Sequence, residues 1–270
     1  MVPRFDGFDR DDAALGGGGE DDSRSLAATT KVSGAVTVSL DAAAADIDVQ
    51  VGVAGEVQIH VDDTDAHAVK VIERNKGHLQ FEFDNSSHLD SGEVRLLVPV
   101  GTSVELRTAS GDVSIGAVQG DVAVQSISGD VRVRAGRKVS VTSVSGDVAI
   151  ERASGPLTVQ TTSGDLRLSG DVTSPVRFTS TSGGLDLSGS CAAGCQIHAH
   201  TTSGDVSLSG RSSLVAKLRT RTGEISGADH LAVEMRRNAG DKSEWTVHLG
   251  RSEGLVEVET FSGDLNLRPQ

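Results

Sequence analysis

Apolar and polar residues alternate along most of this chain, and from residue 108 to 210 the alternation restarts at a nearly constant interval. The apolar pairs Val113 and Ile115, Val131 and Val133, Val148 and Ile150, Leu166 and Leu168, Leu185 and Leu187, and Val206 and Leu208 each follow the same short phrase. That phrase reads Ser110-Gly111-Asp112, Ser128-Gly129-Asp130, Ser145-Gly146-Asp147, Ser163-Gly164-Asp165, the variant Ser182-Gly183-Gly184, and Ser203-Gly204-Asp205. Its glycines stand 18, 17, 18, 19 and 21 residues apart. A period of two puts alternate side chains on one side of a strand. Strand-sized units returning at this interval predict a solenoid of stacked rungs.

A second apolar series starts at Val122, Val139, Leu157, Val176 and Ile197 with matching spacing. Each rung therefore needs at least two strands and two turns. The predicted fold is all-β, a parallel β-helix (a single-stranded solenoid) with rungs of about 18–20 residues. Alternation directs Ile150 and Leu166 inward and Ala149 outward. The spacing leaves open the hand and the choice between a two-sheet and a three-sided section.

Four segments follow from where this regularity holds. Residues 1–26 are charged, contain Gly16 to Gly19 and lack either period, so they read as a disordered tail. Residues 27–107 alternate in strands of irregular spacing, such as Val57 to Val61 and Val94 to Val98, and read as the entry portion that closes one solenoid end. Residues 108–210 are the regular body. In 211–270 the phrase weakens to Thr222-Gly223-Glu224 and returns as Ser262-Gly263-Asp264, 40 residues on, an interval of about two rungs. Trp245 in between is expected to fill a wider C-terminal end.

Composition sharpens the picture of the core. Six Phe, one Trp and no Tyr against 32 Gly suit a thin, layered interior of Val and Leu. The formal charge of −13, from 25 basic and 38 acidic residues, excludes nonspecific binding to nucleic acid or to anionic membranes. No apolar run approaches the roughly 18 residues of a transmembrane segment. The first 24 residues hold seven acids, three Arg and no apolar h-region. They read as lacking a secretory signal, which points to the cytoplasm.

Candidate chemistry is sparse. In the Ser-Gly-Asp column, Gly supplies a turn position with positive φ, while Ser and Asp accept backbone N–H groups that the turn leaves open. A row of Asp112, Asp130, Asp147, Asp165 and Asp205 would also attract cations such as Ca²⁺, although the Gly-Gly-x-Gly-x-Asp pattern of calcium β-rolls is absent. Cys191, Cys195, His198 and His200 form the one cluster of metal-ligand type, C-x3-C-x2-H-x-H. Its spacing is not that of a zinc finger, and free or loosely paired cysteines in a loop are the expectation. The other histidines, His60, His67, His78, His88, His230 and His248, are scattered and read as surface residues. Phosphate loops, dinucleotide fingerprints and nucleophile elbows do not occur, so neither catalytic nor cofactor-binding residues are assigned.

The runs Ser128-Gly129-Asp130-Val131, Thr162-Ser163-Gly164-Asp165-Leu166 and Thr201 to Leu208 resemble the bacterial adhesin-type β-strand-repeat family, the domain of unknown function DUF4097. The resemblance covers roughly 28–267. It implies a parallel β-solenoid and, through the family's name, adhesion or surface association. The expected role is a noncatalytic interaction or scaffold protein whose partner is another protein or a surface polymer, with self-association open. The alternatives are a polymer-forming scaffold of the bactofilin kind and a carbohydrate-active enzyme on a β-helix.

Overall fold

The computed structural model describes residues 24–62, 69–75, 77–83, 92–191, 194–210, 214–227, 232–239, 242–249 and 254–269. Residues 1–23 of the predicted tail lie outside them; Arg24 to Leu26 already belong to a strand. The N-terminal strands are β1 (Arg24–Lys31), β2 (Thr37–Val51), β3 (Glu56–Asp62), β4 (Val69–Asn75), β5 (His78–Phe83) and β6 (Gly92–Val98). The regular body follows as β7 (Ser103–Ser110), β8 (Val113–Ala117), β9 (Val122–Ser126), β10 (Val131–Gly136), β11 (Val139–Ser145), β12 (Val148–Ala153), β13 (Leu157–Ser163), β14 (Leu166–Ser169), β15 (Val176–Ser182), β16 (Leu185–Ser188), β17 (Gln196–Ser203) and β18 (Val206–Gly210). The C-terminal strands are β19 (Leu214–Thr220), β20 (Ile225–Ser226), β21 (Ala232–Ala239), β22 (Lys242–Leu249), β23 (Gly254–Ser262) and β24 (Leu265–Pro269).

Each rung of the body gives one strand to each of two parallel sheets. In the even-numbered sheet Val113, Val131, Val148, Leu166, Leu185 and Val206 stand in register. In the odd-numbered sheet Val104, Val122, Val139, Leu157, Val176 and Ile197 do the same. Neighbouring strands in such a sheet lie about 4.8 Å apart, so each apolar side chain rests on the one in the rung below. The section is the two-sheet one, and the inward columns are those that alternation picks out, with Ile150 and Leu166 buried and Ala149 on the outer phase. Burial of each Val or Leu contributes roughly 1.5–3 kcal/mol, and repetition of that gain offsets the ordering of the backbone.

At both ends the stacking order departs from the chain order. β2 bends through both sheets: its first half lies between β5 and β7, its second between β6 and β8. The rung of β5 and β6, later in sequence, therefore lies outside β2. Beyond it β3 runs antiparallel to β6, β1 antiparallel to β3, and β4 antiparallel to β5. At the other end β23 and β24 stack directly on β17 and β18, while β19 and β20 stack on their far side. The hairpin of β21 and β22 runs antiparallel against β19. The 40 residues from Gly223 to Gly263 are thus one rung and a hairpin, where spacing alone suggested about two rungs. Trp245, on β22, packs half-buried against the core.

Candidate interaction surface on the Ser-Gly-Asp corner

The corner where each odd strand hands over to the next even strand is built from parallel columns, one residue per rung. The innermost is a column of buried hydroxyls: Thr108, Ser126, Ser143, Thr161, Ser180 and Thr201, continued by Thr260 and Thr220. A hydroxyl in an apolar interior is costly without an acceptor, and in this column Ser180 Oγ alone has none. Those of Thr108, Ser126, Ser143 and Thr161 donate to the carbonyl two residues on, at 2.7–3.1 Å, and Thr201 donates to Gly183 O at 3.1 Å. These bonds satisfy carbonyls that the corner removes from the sheet ladder.

Glycine follows because the chain turns sharply against its neighbour. Gly129 has φ +108°, and an added Cβ would overlap the carbonyl oxygen of Gly111 in the rung below. The aspartates then tie rung to rung. The N–H of Asp112 donates to Asp46 Oδ1 at 2.7 Å, that of Asp130 to Asp112 Oδ1 at 2.8 Å, and that of Asp147 to Asp130 Oδ1 at 2.9 Å. Asp165 donates likewise to Asp147 at 2.9 Å and Gly184 to Asp165 at 2.7 Å. The column resumes as Asp264 on Asp205 and Glu224 on Asp264, at 2.8 and 2.9 Å. Each bonded carboxylate is thereby held at a fixed place on the corner. Arg132 reaches the Oδ2 atoms of Asp130 and Asp112, at 3.2 and 3.8 Å.

Between the hydroxyl and serine columns lies an outward one. It reads Ala43, Ala109, Ile127, Val144, Thr162, Thr181, Thr202, Phe261 and Arg221, as the flanking pairs place them. Its first four members are exposed apolar residues, with Ile127 at 58% and Val144 at 49% of full exposure. Ala43, Ala109 and Ile127 line an open groove of about 540 Å³, whose other side carries Asp41, Arg107 and Thr142, and Val144 continues the column beyond it. At the far end of the column Arg221 lies over the Phe261 ring at 4.9 Å.

The metal-type cluster is divided by the sheet. Cys191 and Cys195 point into the core and are joined by a disulfide with Cα atoms 5.8 Å apart, against the free or loosely paired loop cysteines expected. An added Cβ at Gly254 would come within 2.8 Å of Cys191 Sγ, so β23 packs its backbone on the sulfurs. His198 and His200 lie on the outer phase of β17. There His198 Nδ1 is 3.2 Å from Glu257 and His200 Nδ1 is 3.8 Å from Glu259. Lys217 bonds the same Glu257 at 3.0 Å and holds its carboxyl below the ordinary value, against the opposing effect of burial. Among the described residues no group of three or more His, Cys, Asp or Glu is arranged to hold a metal ion. His67, His88 and His230 lie outside the described residues, while His78 Nε2 meets Ser39 Oγ at 2.8 Å.

Residues 36–268 match the family described as Toastrack DUF4097. The chain belongs to the Toastrack family. Among solved structures, one named a putative adhesin, from Bacteroides fragilis, has a TM-score of 0.51 at 17% identity, covering 89% of this chain and 95% of its own. Another, from Parabacteroides distasonis and named a putative lipid binding protein, has a TM-score of 0.43 at 12% identity, covering 92% and 97%. No curated protein matches the chain. At such identity the Bacteroides likeness is one of fold. In this Toastrack chain the sequence reading found the Ser, Gly and Asp columns but missed the buried hydroxyls and the apolar strip. The signal was present: the alternation of Val139 and Val141 runs on through Ser143, which leaves Val144 outside.

Proposed function

We propose that this Toastrack chain is a noncatalytic interaction or scaffold protein that presents its Ser-Gly-Asp corner to another macromolecule, a protein or a surface polymer. The observation that carries this reading is the run of exposed apolar residues Ala43, Ala109, Ile127 and Val144, aligned on consecutive rungs of a rigid stack. Contiguous exposed apolar surface with a polar rim is where proteins meet partners. Catalysis has little support here, because the groove bordering the strip has one carboxylate among its lining residues, Asp41, whereas glycoside cleavage uses two. Growth into a polymer through the terminal rungs has little support either. Antiparallel strands lie on three of the four terminal parallel strands that a further copy would have to continue: β3 on β6 and β4 on β5 at one end, and β22 on β19 at the other.

The test is photocrosslinking in the native cell, with p-benzoylphenylalanine at position 127 and, as control, at the outward position 160 of the odd sheet. A crosslinked macromolecule, protein or polysaccharide, captured from 127 and not from 160 is expected. Equal capture from both positions, or none from 127, overturns the reading.

A further inference from the structure

Resting on that reading, we infer that the corner's apolar half takes an extended polypeptide segment carrying apolar and basic residues. The strip is one side chain wide and four rungs long, so its length is about 14 Å at the spacing of paired strands. A helix about 10 Å across would overhang it, whereas an extended chain, rising about 3.1–3.4 Å per residue, covers it with four or five residues.

The groove's far side carries one acid and one base, Asp41 and Arg107, so the aspartate row on the near side decides what the remaining side chains of such a segment are. Asp112, Asp130 and Asp147 each stand three residues past a strip residue, one per rung, and Asp165 continues the row. Their Oδ1 atoms are occupied by backbone N–H groups of the next rung, so the carboxylates are oriented before any partner arrives. Such preorganisation lowers the cost of binding. Arg132 offsets charge at Asp112 and Asp130, while Asp147 and Asp165 have no cationic partner among the described residues. The row is therefore most negative beside Val144. An acidic or neutral segment would leave those carboxylates unmatched, and a Lys- or Arg-bearing one complements them. Polyproline II geometry also matches the spacing, since three residues advance about 9.3 Å and two rungs about 9.6 Å. Val and Lys recurring every third residue would then meet the strip and the row together.

The experiment measures fluorescence anisotropy of a labelled nonapeptide of three Val-Lys-Pro repeats against the full chain. Its counterparts carry Glu in place of Lys, or Ser in place of Val. The first peptide is expected to bind at least tenfold more tightly than either counterpart. The double variant Ile127→Ser with Val144→Ser, whose unchanged melting temperature shows that it folds, should weaken binding about tenfold. Asp147→Asn with Asp165→Asn, which keeps an oxygen for the N–H ladder, should weaken it at least fivefold and reduce its salt dependence. Equal affinity for the Ser peptide, meaning attraction by charge alone, overturns the inference; so does equal affinity for the Glu peptide or indifference to the strip variant. Capture of a polysaccharide in the crosslinking test would sink this inference and leave the interaction reading standing.

Discussion

Gly146 and Asp147 show how much of this molecule is decided by single backbone positions. Gly146 has φ +113°, and its Cα faces the carbonyl of Gly129 with no space for a methyl group. Gly146→Ala is expected to cost about 2 kcal/mol or more, read as a lower midpoint in urea unfolding, since strained backbone alone costs about 1–3 kcal/mol. Asp147 separates two roles of one side chain. Asp147→Asn preserves the oxygen that accepts the Asp165 N–H, so thermal unfolding should change little, whereas Asp147→Ala removes it and should cost about 1 kcal/mol. Equal melting temperatures for the two variants would show that the ladder bond contributes nothing. Gly184, where the phrase breaks, has its own reason: a Cβ there would lie 2.6 Å from the carbonyl oxygen of Asp205.

A strand in the body has one inward and one outward phase, and β12 separates them cleanly. Ile150 is fully buried between Val133 and Leu168, while Ala149 faces outward between Arg132 and Arg167. Ile150→Asp should unfold the rung at a cost above about 4 kcal/mol, because a charge enters the core without a partner. Ala149→Asp should stay within about 0.5 kcal/mol, and comparison of the two melting curves checks the register. At β23 the limiting feature is close packing on Cys191 and Cys195. Gly254→Val should therefore destabilise β23 and β24 by about 1–3 kcal/mol through overpacking, seen as faster amide exchange there than in β11 or β13.

Across the whole molecule, charge is distributed by columns, and its effects are small per residue. Glu257 is held below its ordinary pKa by Lys217 first, with His198 and Arg219 assisting. A depressed carboxyl contributes stability that is fully present above its unfolded value, near 4.5, and is lost as pH falls through the lower folded value. Glu257→Gln should flatten that portion of the stability profile without affecting it near pH 7 to 9, apart from a uniform offset. The pair is well exposed, so solvent screens it and its contribution to stability is small. Asp121, paired with Arg137 at 2.8 Å, follows the same sign through a lower range.

The chain's own pattern determined the rung, because the alternation of Val148, Ala149 and Ile150 and the recurring Gly need only local geometry and identical neighbours to fold one way. It also determined the columns, since in-register stacking multiplies whatever each repeat carries at a position. Only the tertiary structure decided which rungs are neighbours at the ends. Gly204, Gly223 and Gly263 carry equivalent phrases, so local preference does not distinguish their order; the antiparallel β21 and β22 and the packing of Gly254 on the sulfurs do. The corner strip was completed there too: alternation already puts Val144 on the outer phase beside Ser143, but only the stacking of β2 on β7 sets Ala43 in line with Ala109, Ile127 and Val144.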